Sequence, residues 1–458
     1  MAKSGTNQSA NLGEGNVGKL LLKLAIPSVV AQLINMLYNI VDRIYIGHMP
    51  EDGSLALTGV GLCFAVIMLI SAFASLVGAG GAPRAAIYMG KQDNKTAEKI
   101  MGNCFTALIV IAIILTVVFQ VIAEPMLRLF GASDSTLPYA LSYMRIYVMG
   151  TLFVMTVMGM NLFITTQGFA NFSMLTTVIG AVCNIILDPI LIFGLNMGVR
   201  GAATATIISQ GISAIWVLRF LLGKKTVLKL KKENLPIRWN VLLPCMALGV
   251  SPFVMQSTEA ILNICFNSSL AKYGGDVAVG SFTIISSCMQ CLSLPLMGMC
   301  QGAQPLMSYN FGARKNDRVR QTFRYEMIIC VTFSCLFCVV AELVPTVLAG
   351  IFSTDTEMIS YTAWAMRIYM AGAFSMGVQL CCQQSFMALS QARISLLLAC
   401  LRKIILLIPL IYILPNFFGD KVFAVLLAEP VSDILAATVT AIMFFTHLNG
   451  ILEKGPSK

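Results

Sequence analysis

Apolar residues in this chain gather into long unbroken blocks, not the alternating or one-sided stripes of a soluble fold. The blocks fall at roughly 22–46, 55–82, 101–123, 137–164, 172–194 and 201–222, then 241–271, 278–306, 325–350, 359–388, 396–417 and 421–447. Each is too long for a core strand, and none alternates with period 2. A lone strand cannot satisfy its backbone in lipid, so all twelve are read as helices; about 20 residues suffice to cross the hydrocarbon. We number them spans 1 to 12.

Composition agrees. Of 458 residues, 57% are hydrophobic and 11% charged, with a mean hydropathy of +0.81. A soluble domain carries about 25% charged residues, so a water-soluble enzyme of this length is excluded, as are coiled coil, collagen and disorder. The net charge of +10 would suggest nucleic acid in a soluble chain, but its placement gives another meaning. Most Lys and Arg fall in alternate connections, among them Arg84, Lys91, Lys95 and Lys99, then Lys224 to Arg238, then Arg314 to Arg324. The opposite loops carry Arg128, Arg200, Lys272 and Lys421. By the positive-inside rule both termini are expected in the cytoplasm, in a multi-pass cell-membrane protein with lipid as its surround and no nucleic-acid partner. Residues 1–18 are polar, so no cleavable signal peptide is expected.

The two sets of six resemble each other. Met144-Arg145-Ile146-Tyr147 recurs as Met366-Arg367-Ile368-Tyr369, and at the same offset Tyr139 meets Tyr361 and Gly90 meets Gly312. An offset of six helices preserves orientation, so the halves are parallel pseudo-symmetric repeats. The expected lobes are 1–222 and 241–458, joined by the basic linker 223–240. Such pairs enclose a substrate site near the midplane and move as two bodies.

Polar groups inside the spans need a reason, because a charge at mid-bilayer costs several kcal/mol. Span 1 carries Ser28, Gln32, Asn35, Asn39 and Asp42 at spacings that share one helical face. Span 7 repeats the ladder with Gln256, Glu259, Asn263 and Asn267. Glu259 aligns with Asn35, so the acids lie about 10 Å apart along equivalent helices. Span 5 places Asn184 and Asp188 one turn apart, and Pro189 frees a carbonyl beside them. Span 6 adds Thr206, Gln210 and Ser213. An all-oxygen cluster suits Na⁺, and a buried carboxyl suits H⁺. Gln290 of span 8 and Gln379 and Gln383 of span 10, the last two flanked by Met376 and Met387, are further candidates for a substrate lining.

Plainer readings stand beside these. Asp42 can pair with Arg43, and Asp188 can be a structural acid at a proline kink. Glu259 can pair with Arg402 or Lys403, and Glu429 and Asp433 can neutralise the same two cations. Arg145 and Arg367 read as snorkelling anchors. The 14 cysteines lack zinc-ligand spacing and read as reduced packing residues. The two histidines, His48 and His447, lie at span ends, which leaves an intramembrane enzyme without a nucleophile–base pair.

In order and spacing, Asn39-Ile-Val-Asp42-Arg-Ile-Tyr-Ile-Gly47, Asn184-Ile-Ile-Leu-Asp188-Pro189 and Ala428-Glu429-Pro430 resemble the multidrug and toxic compound extrusion (MATE) family. The likeness covers about 20–447 and is greatest to the prokaryotic branch with an aspartate in span 1. It implies a V-shaped monomeric antiporter that exports small organic cations for H⁺ or Na⁺, with no other cofactor. In that branch the coupling-ion site carries over to Asp42, Asn184, Asp188 and Thr206. A span 7 glutamate seven residues after a proline, here Pro252 and Glu259, is functional in other branches. Its usual acidic partner in span 10 has no counterpart here after Ser360, and Arg43 stands where a small or polar residue is usual. A flippase for a lipid-linked glycan or peptidoglycan precursor is the alternative; its anionic cargo would call for a basic cavity.

Overall fold

The computed structural model describes residues 12–49, 53–352 and 355–456, and no strand occurs among them. Span 1 is Val17–Gly47, span 2 Gly53–Gly90, span 3 Asn94–Val121, span 5 Ala170–Pro189 and span 6 Val199–Leu221. Spans 7 and 8 form one long element, Trp239–Gly312, turned at Gly275, whose φ of 63° lies in the left-handed region glycine tolerates. Span 9 is Asn316–Leu343 and span 12 Lys421–Lys454. Among the described residues the architecture is therefore all-helical, in two six-helix halves, and nine helices, or ten with the bent pair of span 4, are long and apolar enough to cross a membrane.

Several helices outrun the apolar blocks that announced them. Span 2 continues to Gly90, span 3 begins at Asn94, and span 9 begins at Asn316. Their basic-end turns are polar and helix-forming, so hydropathy registers only the part in lipid. Side chains set where some helices begin. Asn16 accepts from the Lys19 amide at 3.1 Å, Asp93 from Thr96 at 3.0 Å, and Asp420 from Phe423 at 3.0 Å.

Spans 4 and 10 were expected as single helices, and both are broken at the same place. Span 4 is Leu137–Met149 followed by Thr151–Thr166, bent by 56°. Span 10 is Thr356–Tyr369, a 3-10 turn Met370–Gly372, then Ala373–Ala388. The breaks fall at Gly150 and Gly372, each just after the repeated Met-Arg-Ile-Tyr. A Cβ at Gly150 would lie 2.6 Å from Ile207 of span 6, and one at Gly372 2.7 Å from Pro430 of span 12. Close approach of the next helix requires glycine in both halves.

Span 11 is the most irregular: Ala392–Cys400, a π-helical stretch Leu401–Leu407, Ile408–Ile413, then a 3-10 turn Leu414–Asn416. Span 5 also ends in a π-helical turn, Ile190–Gly194, straight after Pro189. Pi turns are inserted residues in a helix and often mark functional sites. All fourteen cysteines are free thiols.

The segments leading into spans 1 and 7 dock crosswise. Leu12 is buried, and its carbonyl accepts from Asn310 at 3.0 Å, while Lys315 and Arg318 donate to the carbonyls of Gly13 and Gly15 at 2.8 and 2.7 Å. The linker lies instead on the N-terminal half. Gln167 Oε1 accepts from Thr226 Oγ1 and from the amides of Val227 and Leu228 at 2.7–2.8 Å. Asn103 and Thr106 hold Arg238 and Leu235, and Glu98 pairs with Lys231 at 2.6 Å, which raises the Lys231 pKa. Each half thus grips the lead-in of the other, and these polar anchors satisfy backbone groups that would otherwise be stranded.

Candidate functional site

Four of the sequence-selected residues meet in the N-terminal half. Asp188 and Asn184 are buried on span 5, one helical turn apart, and Thr206 faces them from span 6. Asn184 Nδ2 donates to Asp188 Oδ1 at 3.2 Å and lies 3.5 Å from Thr206 Oγ1, which itself donates to the Ala202 carbonyl at 3.0 Å. Asp42 comes from span 1, with its carboxyl within hydrogen-bonding reach of Asp188.

That contact joins two groups that only accept when ionised. With both ionised, Asp42 Oδ1 and Asp188 Oδ2 are buried without a donor among the described residues, and so is Asn184 Oδ1. A buried oxygen without a donor is costly. Three of them in one cluster fit a proton shared between the carboxyls, or a small hard cation. Among the described residues Arg43 makes no close ion pair with Asp42, and its guanidinium sits 5.4 Å above the Phe64 ring.

Tyrosines complete the surroundings and were not singled out in the sequence. Tyr38, Tyr143 and Tyr147 lie close to Asp42, and Tyr143 stacks on Tyr147 at 5.8 Å. The available signal was their spacing: Tyr143 and Tyr147 stand one turn apart around the repeated Met-Arg-Ile-Tyr.

The amide ladders divide into two roles. Gln32 Nε2 donates to Gln301 of span 8 at 2.9 Å, and Gln256 Nε2 to Ser75 of span 2 at 2.6 Å. Both bonds cross between the halves, so these glutamines tie the seam. Asn39 Nδ2 donates to the Asn35 carbonyl at 2.6 Å, and Asn263 Nδ2 to the Glu259 carbonyl at 2.9 Å. The same bond recurs at repeat-equivalent positions. Asn35, Asn39, Glu259 and Asn263 are exposed on spans 1 and 7, where a polar group costs less facing water than lipid.

Other candidates lie apart. Gln290 is exposed on span 8. Gln379 and Gln383 are buried in span 10, the latter 3.1 Å from Met255 Sδ and 3.5 Å from Ser251 Oγ, and Met376 and Met387 are buried with them. Here Gln379, Gln383, Met376 and Met387 pack inside the C-terminal half.

The C-terminal half holds a charge cluster. Arg402 bonds Asp433 at 2.7 Å and Glu429 at 3.4 Å, and Lys403 pairs with Glu259. The neutralising role read for Glu429 and Asp433 matches this geometry, as does pairing of Glu259 with span 11. Glu326, one acid within span 9, escaped notice in the sequence. It is buried against the thiols of Cys300 and Cys381.

A two-lobed helical bundle with buried acids, and with exposed amides on the first helix of each half, fits a membrane transporter. The MatE family profile matches residues 27–190 and 252–413, one stretch in each half, and the chain belongs to that family. It is 25% identical over 430 residues to the multidrug export protein MepA of Staphylococcus haemolyticus, covering 92% of this chain and 93% of that one. It is 24% identical over 432 residues to MepA of Staphylococcus aureus, covering 93% and 94%. Among solved structures, a MATE in the bent conformation superposes with a TM-score of 0.91 at 22% identity, over 98% of this chain and 99% of that one. An outward-facing multidrug resistance MATE family transporter gives 0.91 at 21% identity with the same coverage.

Proposed function

We propose that the protein is a multidrug efflux antiporter, exporting amphipathic organic cations in exchange for H⁺ or Na⁺ by alternating access. The observation that carries the coupling is the set Asp42, Asn184, Asp188 and Thr206, the last three buried and Asp42 half-buried, with its three donorless oxygens. The carboxyl–carboxyl contact favours H⁺, because two ionised carboxylates this close repel. The relatives' printed role in multidrug export supports the cargo class.

A proton or Na⁺ entering the cluster cancels negative charge beside the cleft and relaxes the contacts of spans 1 and 5. Binding of the coupling ion and of the organic cation must then weaken each other reciprocally. Lobes 1–222 and 241–458 rock about the linker, as a monomer in the cell membrane with both termini cytoplasmic. Glu259, Asn35, Asn39 and Asn263 meet the cargo in the cleft. Acids and amides there favour cations over the anionic headgroup a flippase would carry.

The test is transport. Liposomes containing the purified protein and a fluorescent organic cation are given a pH gradient or a Na⁺ gradient separately. Movement driven by the pH gradient supports H⁺ coupling and movement driven by Na⁺ assigns that ion instead. Response to neither overturns the antiporter reading.

A further inference from the structure

Span 11 turns two consecutive cations into the C-terminal half. Neighbours on a regular helix diverge by about 100°. In the π-helical stretch Leu401–Leu407 both Arg402 and Lys403 are buried, 7% and 8% exposed. Their partners differ in kind. Arg402 is fixed by two buried acids of span 12, Asp433 and Glu429, and its own carbonyl accepts from Ser432 at 2.9 Å. Lys403 has a single close carboxylate, Glu259, and the Met255 carbonyl at 3.1 Å, both from span 7.

Glu259 is unlike the other acids of the cluster. Its side chain is 54% exposed, whereas those of Glu429 and Asp433 are 7% and 2% exposed. One side of its carboxylate is therefore closed by Lys403, and the other is exposed. The charged groups acting on Lys403 are Glu259 from span 7 and Glu429 and Asp433 from span 12, and Arg402 precedes it in the chain. Three carboxyl groups thus face two cations, and only Glu259 among the three is exposed to an incoming cation.

We propose that Lys403 is a tethered counter-cation of Glu259 which an incoming organic cation displaces. The organic cation takes the exposed side of Glu259, and the Lys403 ammonium passes to the carboxylates of span 12. No covalent bond is made or broken. Lys403 then sets specificity: a cation gains Glu259 only by outcompeting an ammonium already in place, and a neutral amphiphile gains nothing there. The inference rests on the cationic cargo proposed above. It is tested by binding without any gradient, so it can fail while coupling through Asp42 and Asp188 stands, and the reverse.

Tetraphenylphosphonium binding to the purified full chain in detergent is measured by calorimetry for the native protein, Lys403→Gln, Glu259→Gln and the double variant, alongside a neutral lipophilic probe. Lys403→Gln should bind tetraphenylphosphonium roughly threefold more tightly, the scale of a half-exposed ion pair. The gain should vanish in the Glu259→Gln background, and the neutral probe should be unaffected. Should Lys403→Gln fail to fold, Lys403→Arg carries the test: its fork grips Glu259 more firmly and should weaken tetraphenylphosphonium binding. Unchanged or weaker binding in folded Lys403→Gln, a gain that persists without Glu259, or unweakened binding in Lys403→Arg would overturn the proposal.

Discussion

Gly90 and Gly312 hold equivalent places in the two halves, and each rests on a carbonyl of the other half. A Cβ added at Gly90 would lie 2.0 Å from the Tyr309 oxygen, and one at Gly312 would lie 2.0 Å from the Ile87 oxygen. Ile87 and Tyr309 are themselves repeat equivalents. The two-fold relation between halves is thus built into a backbone contact at the basic end of spans 2 and 8.

Gly90→Ala should disrupt that contact, since the obstacle is backbone and cannot rotate away. Overpacking of this kind costs about 1–3 kcal/mol. The expected outcome is a lower melting temperature in detergent and faster thiol labelling of a cysteine introduced nearby at Lys91. Unchanged stability and labelling would show that the seam yields freely.

The Arg402 cluster should behave as a buried ionic network. Arg402→Met strands Glu429 and Asp433, and breaking a buried pair costs roughly 3–5 kcal/mol. Adding Glu429→Gln and Asp433→Asn should recover most of the loss. Thermal unfolding of the single and triple variants checks this; a triple variant no better than Arg402→Met would place the cost in packing alone.

Gln167 holds the linker through one carbonyl oxygen with three donors. Gln167→Ala leaves the part-buried Val227 amide and the buried Leu228 amide unpartnered, at about 1–3 kcal/mol each, while the Thr226 hydroxyl keeps the Leu228 carbonyl. The linker should then be cut faster by trypsin at Lys224 to Arg238 while the spans stay intact. Equal cutting rates would mean that Glu98, Asn103 and Thr106 suffice.

The sequence made the spans, the repeat and the four-residue N-terminal cluster legible, because hydropathy blocks, a conserved offset and helical spacing all act locally. Breaks in spans 4 and 10 were hidden, since glycine inside an apolar run does not reveal which helix presses on it. The offset offered a clue: Gly150 and Gly372 end the same repeated segment. The separation of Gln32 and Gln256 from the exposed amides was equally hidden. Spacing shows which residues share a face, but not whether that face meets water or, as here, Gln301 and Ser75 across the seam. Lys403 was visible as a partner for Glu259; the π-helical turn that buries it beside Arg402 was not.

The proposed coupling rests on Asp42 and Asp188 carrying the ion together. The direct measurement is gradient-driven efflux of a fluorescent cation from liposomes containing the native protein, Asp42→Asn or Asp188→Asn, with cation binding measured in parallel. Both variants should fold and still bind cation, more weakly than the native protein, yet lose most of the gradient-driven rate. Full gradient-driven efflux by either variant would contradict the account.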